Sequence, residues 1–386
     1  MKTWEDTRSA STGDIMAWAA SQPWADEMKS CMQDSEWHAE GDVWTHTCMV
    51  VDELESLKEW RDLSRIEQLW LIFTALFHDS GKPATTVTDP TTGKVQSPKH
   101  SAVGESICRN ALRDLGCDLR TREAICGLVR YHGRPAFLQH RTKPEMELIE
   151  LSWLVSHKLL HLFALADFRG RRSDSSNRTE TDIDLWKMVA EEAGCFESPY
   201  VFANDHARFL FYRKQLSSLH YVPVENHRCT VTVMSGLPGS GKDTWLADHR
   251  PGLSIVSLDD LRRDYEIDPT DNQGKVIQAG RERCREHLRA GRDFAFNATN
   301  TLKMTRSRWV DLCADYGARI EIVYVEPPLE TIVRQNAGRK SPVPSAVIKK
   351  LTGNLDPPDW TECHHLTMVD GNSEYPNPAK STTCGS

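Results

Sequence analysis

Between Leu69 and Phe77 the chain runs Leu-Trp-Leu-Ile-Phe-Thr-Ala-Leu-Phe and then stops at His78. A helix with one wet face alternates apolar and polar positions, so this run predicts a helix buried all round. Gly81 and Pro83 close it. Around it the first half of the chain reads mostly helical, with helices expected over 46–60, 101–115, 122–131 and 147–167. The stretch 85–98, rich in Thr, Pro, Asp and Gly, reads as a loop, as does the polar segment 169–181. From Arg228 the pattern changes. Short β-branched or apolar runs at 229–234, 255–258, 294–296 and 320–325 are separated by helical segments. Strand alternating with helix predicts a parallel sheet. The expected architecture is therefore two domains, an all-α one over 1–222 and an α/β one over 223–386, with a loosely ordered polar end at 374–386.

Composition narrows this further. The 386 residues carry a net charge of -8, which argues against coating nucleic acid by bulk attraction but leaves room for a local basic pocket. Eleven cysteines show no CxxC pair, and the first residues are polar and acidic. Reduced thiols and a cytoplasmic location are the expectation. No apolar run is long enough to span a bilayer, so no membrane partner is expected.

Two segments carry chemistry. Gly236-Leu237-Pro238-Gly239-Ser240-Gly241-Lys242 lies between a strand and a helix. Glycines there let successive amide N–H groups face phosphates, Lys242 reaches the β- and γ-phosphates, and the helix adds its positive end. Lys242 is followed by Asp243 and then Thr244, where Ser or Thr normally meets Mg²⁺. A carboxylate is also a hard oxygen ligand, so Asp243 can serve the same ion. Asp259 and Arg262 follow the second strand, Asn297 to Thr301 the third, and a basic stretch from Arg334 to Lys340 comes later. The second segment is His78-Asp79, delivered by the apolar helix into a helical domain that also holds His38, His46, His100, His132 and Asp167. Burying such ligand types together is costly unless something binds them.

The pieces over 228–370 resemble the P-loop kinase module of polynucleotide kinases. The resemblance implies Asp259 as general base on a 5′-hydroxyl and Arg262 as a ligand for an acceptor phosphate. It also implies a lid arginine on the donor phosphates, Arg339 first and Arg334 second. Asn297 stands where that family more usually has Asp. The nucleotide site takes Gly236, Pro238, Gly239, Ser240, Gly241, Lys242, Asp243 and Thr244, with ATP or another nucleoside triphosphate and Mg²⁺. The first half resembles the HD phosphohydrolase superfamily, and its segments around His38 and His78 look like the HD domain attached to some tRNA nucleotidyltransferases. That resemblance implies His46, His78, Asp79 and Asp167 as metal ligands and His100 and His132 as ligands of a second metal. The ions are of the Mn²⁺, Ni²⁺, Co²⁺ or Zn²⁺ class. It also implies Lys82 and Arg171 as cations for the scissile phosphate and His38 as a further substrate contact or ligand.

The joint order resembles the bacterial HD-Pnk end-healing enzymes. The implied function is a 5′-hydroxyl polynucleotide kinase plus a 2′,3′-phosphatase. The expected partners are RNA or DNA ends bearing 5′-hydroxyl and 3′-phosphate, with a ligase acting downstream. Two alternatives stand beside it: an HD nucleotidase fused to a small-molecule nucleoside kinase, and a regulatory module whose nucleotide site has degenerated at Asp243.

Overall fold

The computed structural model describes residues 1–34, 38–173, 179–339, 341–371 and 373–375. It forms two compact units, Met1–Val201 and Phe202–Ser386. The first is helical: α1 (Trp4–Ser9), α2 (Thr12–Ala19), α3 (Pro23–Lys29), α4 (Val43–Ser56), α5 (Arg65–Phe77), α6 (Lys82–Thr85), α7 (His100–Asp114), α8 (Leu119–Tyr131), α9 (Pro144–Leu151), α10 (His157–Arg169) and α11 (Glu180–Glu192). A small antiparallel hairpin, β1 (Val87–Thr88) with β2 (Val95–Gln96), sits inside the stretch expected to be loop.

The apolar helix is α5. A capping box between Ser64 and Glu67 starts it, and Leu69 and Leu71 through Phe77 are all buried. It packs against α4, α8 and α10. Helix α10 is equally enclosed, with every residue from Leu159 to Asp167 buried. The single helix expected over 147–167 is in fact two. Ser156 caps α10 through its side chain, and Ser152 bonds back to the Ile149 carbonyl, so the chain turns between them.

The second unit contains α12 (Asp205–Tyr212), β3 (Thr230–Ser235), α13 (Lys242–His249), β4 (Ser254–Ser257), α14 (Leu258–Asp264), α15 (Gly274–Arg289), β5 (Phe294–Asn297), α16 (Lys303–Asp315), β6 (Arg319–Val325), α17 (Leu329–Ala337), α18 (Ser345–Gly353), β7 (His365–Asp370) and β8 (Ser373–Tyr375). Its sheet has the order β4-β5-β3-β6-β7-β8, parallel except for the β7–β8 pair. The parallel sheet was expected; β7 and β8 were not. The central strands β3, β5 and β6 are almost wholly buried, as strands covered by helices on both faces are. Chain order reverses across β3, so its C-terminal end lies at the switch point where such sheets take ligands.

The division falls between Val201 and Phe202, upstream of the expected 222/223. Helix α12 is the reason. Its Phe209 joins Val231, Phe294 and Ile320 in the second core. Its buried Arg208 donates to the carbonyls of Trp360, Cys363 and His364. Among the described residues eight cysteines are buried, Cys108, Cys117, Cys126 and Cys195 in the first unit and Cys229, Cys284, Cys313 and Cys363 in the second. No described helix is long and apolar enough to cross a membrane. Of the polar end, residues 376–386 lie outside the described residues.

Candidate functional site

In the first unit, elements far apart in sequence bring their ligand-type residues to one point. His46 comes from α4, His78 and Asp79 from the turn that ends α5, His100 from the start of α7, His132 from the end of α8 and Asp167 from α10. Asp79 stands in the middle. Its Oδ2 lies 3.2 Å from His78 Nε2, and its Oδ1 lies 3.4 Å from His100 Nε2 and 4.0 Å from His132 Nε2. On the other side, Asp167 Oδ1 is 3.0 Å from His46 Nε2 and 3.9 Å from His78 Nε2. The ligand atoms thus fall into two groups, His46-His78-Asp79 and Asp79-His100-His132, that share one carboxylate.

The other ring nitrogens explain why Nε2 is the atom turned inward. Nδ1 of His78 donates to the Ala75 carbonyl, that of His100 to Ser97 and that of His132 to Val129, each at 2.8 Å. A histidine whose Nδ1 carries the hydrogen keeps its lone pair on Nε2, the form that ligates a metal. Among the described residues, His78 Nε2 and both Asp79 oxygens are buried without hydrogen-bond geometry to a partner, although Lys82 Nζ pairs with Asp79 Oδ2 at 2.6 Å. Unsatisfied buried lone pairs converging on one point are what a cation-binding centre leaves when its residues are viewed alone. The donor set, imidazoles with one carboxylate shared between the two groups and a second beside it, fits one or two divalent transition ions.

Charges around the centre are balanced by partners. Burial alone would raise the Asp79 carboxyl, but His78 and Lys82 beside it hold it well below the usual carboxylate range. Burial likewise opposes ionisation of Asp167, and Arg171, 2.5 Å away, together with His46 pulls it well below. Burial pushes the His132 ring down to about 3, which keeps it neutral. His38 is lowered by burial to about 4, partly offset by its 2.7 Å bond to Glu40. Its ring stands edge-on to that of His46, 4.8 Å between centroids.

Glu40 went unnoticed in the sequence. Its carboxylate is buried, its Oε1 reaches both His38 and His46, and it accepts from the Arg172 amide. Burial would raise this carboxyl, and the bonds from His38 and His46 more than reverse that. It fixes the His46 ring from behind. The available signal was its place two residues after His38. Gln33 is similar, accepting from Lys82 Nζ at 2.6 Å.

One close approach sets the geometry. A Cβ on Gly81 would lie 2.1 Å from the His100 carbonyl oxygen, and one on Gly104 would lie 2.9 Å from that of Phe77. Bare backbone on both sides lets the start of α7 press against the His78–Gly81 turn, carrying His100 to Asp79. Gly81→Ala is expected to cost about 1–3 kcal/mol through overpacking. It should also loosen metal retention through displacement of His100, as read by urea unfolding and by metal content after gel filtration.

In the second unit the loop after β3 is built as expected. Gly236, Gly239 and Gly241 all have positive φ. A Cβ on Gly236 would meet the Val325 carbonyl oxygen at 2.5 Å. The Gly236 amide donates to the Thr299 carbonyl, and Ser235 Oγ donates to that of Asn300, so the segment after β5 braces the loop. Arg306, fully buried, grips Glu362 through two 2.8 Å bonds and the Asn300 carbonyl through a third, fixing that segment from below.

Lys242 Nζ bends back to the Gly236 and Leu237 carbonyls at 2.9 Å each. The surrounding loop withdraws it from water, and this lowers its pKa to about 8 against the pull of Asp243 and Asp259. Asp243, exposed on the first turn of α13, accepts a 2.5 Å hydrogen bond from Asn297 Nδ2 at the end of β5. Thr244 beside it is exposed. Asp259, on the first turn of α14, pairs with Arg262 and lies 3.8 Å from Arg339 Nη2. Arg334 turns back along α17, donating to Thr331 Oγ1 at 3.3 Å. Pro238 and Ser240 sit within the loop, Ser240 buried. Asn336, unnoticed in the sequence, bonds Val343 twice and holds the chain beyond α17 in place. Lys340 lies outside the described residues.

A further group, His206, His227 and His364, is compact enough for a metal. Its hydrogen bonds argue against one. His364 Nδ1 accepts from the Ile320 amide, so its Nε2 carries the proton, which it donates to His206 Nδ1 at 3.0 Å. His364 has no lone pair left to give.

Comparison with known proteins agrees with this division. Residues 43–164 match the HD domain family and residues 231–358 match an AAA domain family. Over 90 residues the chain is 37% identical to the CC-adding tRNA nucleotidyltransferase of Thermus thermophilus, covering 23% of this chain and 19% of that protein. The chain therefore spans about a fifth of that relative. Among solved structures, a candidate kinase from Chloroflexus aurantiacus overlaps 38% of this chain and 86% of its own at 14% identity, with a TM-score of 0.32. A sugar kinase from a Janibacter species overlaps 37% and 85% at 19% identity, with a TM-score of 0.29. The chain carries a helical HD domain followed by a P-loop kinase-like domain with five parallel strands.

Proposed function

We propose that the protein heals broken nucleic-acid strands, phosphorylating a 5′-hydroxyl in its second unit and removing a 2′,3′-cyclic, 2′- or 3′-phosphate in its first. The observation that carries this is the presence in one chain of two sites of opposite direction, each provided with cations suited to a phosphate. Acting on one oxygen, they would only consume triphosphate. Acting on opposite ends, they leave the 5′-phosphate and 3′-hydroxyl that a ligase joins. The tRNA-directed name of the Thermus relative supports an RNA end as one substrate class.

In the first unit, His46, His78, Asp79 and Asp167 would hold one divalent ion, and His100 and His132 with Asp79 a second. When bound, such ions supply hydroxide near neutral pH and a positive field for phosphate oxygens. The chain's own residues do the rest. Carbonyl-anchored Nδ1 atoms and Glu40 hold the rings in one tautomer. Lys82 and Arg171, held at the rim by Asp79 and Asp167, face the scissile phosphate, with His38 beside them.

In the second unit, the loop amides and Lys242 hold the triphosphate. Asp259 orients the 5′-hydroxyl and takes its proton as the oxygen bonds to the γ-phosphorus and the bridge to the β-phosphate breaks, releasing nucleoside diphosphate. Arg262 holds a phosphate of the acceptor strand, and Arg339, seconded by Arg334, steadies the donor.

The test is an end-labelled oligonucleotide with 5′-hydroxyl and 3′-phosphate, incubated with ATP, Mg²⁺ and Mn²⁺. Both ends should be converted. Turnover of mononucleotides and nucleosides with the oligonucleotide left untouched would favour a nucleotidase fused to a nucleoside kinase. ATP binding without any turnover would favour a regulatory module.

A further inference from the structure

In P-loop phosphotransferases the divalent cation is held from two places, a hydroxyl directly after the loop lysine and an acid at a neighbouring strand end. Here both places are changed. Asp243 follows Lys242, and a neutral amide, Asn297, ends β5. Each change alone alters the set of ligands. Taken together they keep one carboxylate and one neutral polar group, in exchanged positions.

The structure joins the two. Strands β3 and β5 run parallel with Val233 opposite Phe296, so Asn297 comes level with the base of the loop. From there its Nδ2 donates to Asp243 Oδ1 across 54 residues of sequence. Asn297 is buried and Asp243 exposed, so the amide is the fixed partner and the carboxylate the one presented. Asp243 makes no ion pair among the described residues. The neighbouring ammonium of Lys242 turns instead to the Gly236 and Leu237 carbonyls. A carboxylate left unneutralised at the mouth of a phosphate loop repels a bare triphosphate. A cation between them reverses the sign.

We infer that the metal-binding acid of the kinase site has moved from the strand end to the loop. Asp243 supplies the carboxylate oxygen for the triphosphate's divalent cation, and Asn297 is the positioning residue that orients it. This rests on the kinase reading of the second unit. It makes ATP affinity unusually dependent on the cation, because the same residue penalises ATP without Mg²⁺ and favours ATP with it. By linkage, the factor by which Mg²⁺ improves ATP binding equals the factor by which ATP improves Mg²⁺ binding.

The test is equilibrium ATP binding to the full chain by calorimetry, in EDTA and in saturating Mg²⁺, which needs no turnover. The ratio of the two affinities is the quantity read. In Asp243→Asn, nearly isosteric and on the surface, the ratio should fall by at least about tenfold, the size of effect seen on altering a metal site's supporting shell. Part of that fall should come from tighter binding in EDTA, an effect that general disruption of the loop does not produce. Asn297→Ala should reduce the ratio while thermal unfolding without nucleotide shows the fold retained. The exchange Asp243→Ser with Asn297→Asp should restore it. An unchanged ratio in Asp243→Asn overturns the inference, as does a double exchange no better than Asp243→Ser alone. A collapse confined to Thr244→Val would also overturn it by making the next hydroxyl the ligand. Failure of the unaltered chain to bind ATP in either condition would instead sink the kinase reading itself.

Discussion

Asp79→Ala is expected to lower phosphate removal by at least about a thousandfold while the kinase keeps its rate, since Asp79 is the carboxylate shared by both groups of residues that would hold the ions whose charge would activate water. No other residue of the centre belongs to both groups. Loss of His100 or His132 empties one group only. Loss of Asp79 also leaves Lys82 without its ion-pair partner beside the histidines. Because it leaves a largely buried ammonium unpaired, the variant should also be less stable than the parent in EDTA. The distinguishing measurement is the rise in thermal midpoint on adding Mn²⁺, present in the parent and absent in the variant, alongside hydrolysis of a 2′,3′-cyclic phosphate end. A folded variant that had lost both activities would contradict two independent sites.

Lys242→Ala should cost the kinase at least about a hundredfold, the usual loss when one preorganised charge on a transferring phosphoryl group is removed. Its Nζ is already poised over the loop by two carbonyls. Its depressed pKa reflects withdrawal from water, and arriving phosphates would reverse that by favouring the charged form. Asp259→Ala should lose a comparable or larger factor, within the roughly 10²–10⁴-fold range of general bases. Phosphate removal should survive both changes. Rates on a 5′-hydroxyl oligonucleotide with saturating ATP, compared with hydrolysis at the other end, check this. Equal loss at both ends would overturn it.

The parts of this molecule that were legible in the sequence are those that local chemistry marks. A helix as continuously apolar as α5 must be buried, and ligands at its end are therefore buried too. The loop glycines declare themselves because positive φ and close approach to Val325 exclude other residues. What stayed hidden depends on distant contacts. Nothing local marks Glu40 as enclosed, because its enclosure comes from His38, His46 and Arg172. The break between α9 and α10 was obscured by apolar Trp153, Leu154 and Val155, which continue the periodicity through a turn made by flanking serines. Strand β7 mixes polar and apolar positions, with only Leu366 and Val369 buried, near the edge of the sheet, so it lacks the run that betrayed β3 and β6. The bond between Asp243 and Asn297 was likewise out of reach. Each residue looked like a lone departure until the sheet placed them side by side.

The enclosed thiols give the two halves separate clocks. Burial raises the pKa of Cys117 and Cys195 in one unit, the latter to about 12, and of Cys284 and Cys363 in the other, Cys284 also to about 12. Thiolate, the reactive form, is scarce at such sites until the surrounding core opens. Alkylation therefore records opening events rather than surface chemistry. Because four buried thiols among the described residues lie in each unit, peptide mapping of the alkylated positions separates the breathing of the hydrolytic half from that of the kinase half within one undivided chain.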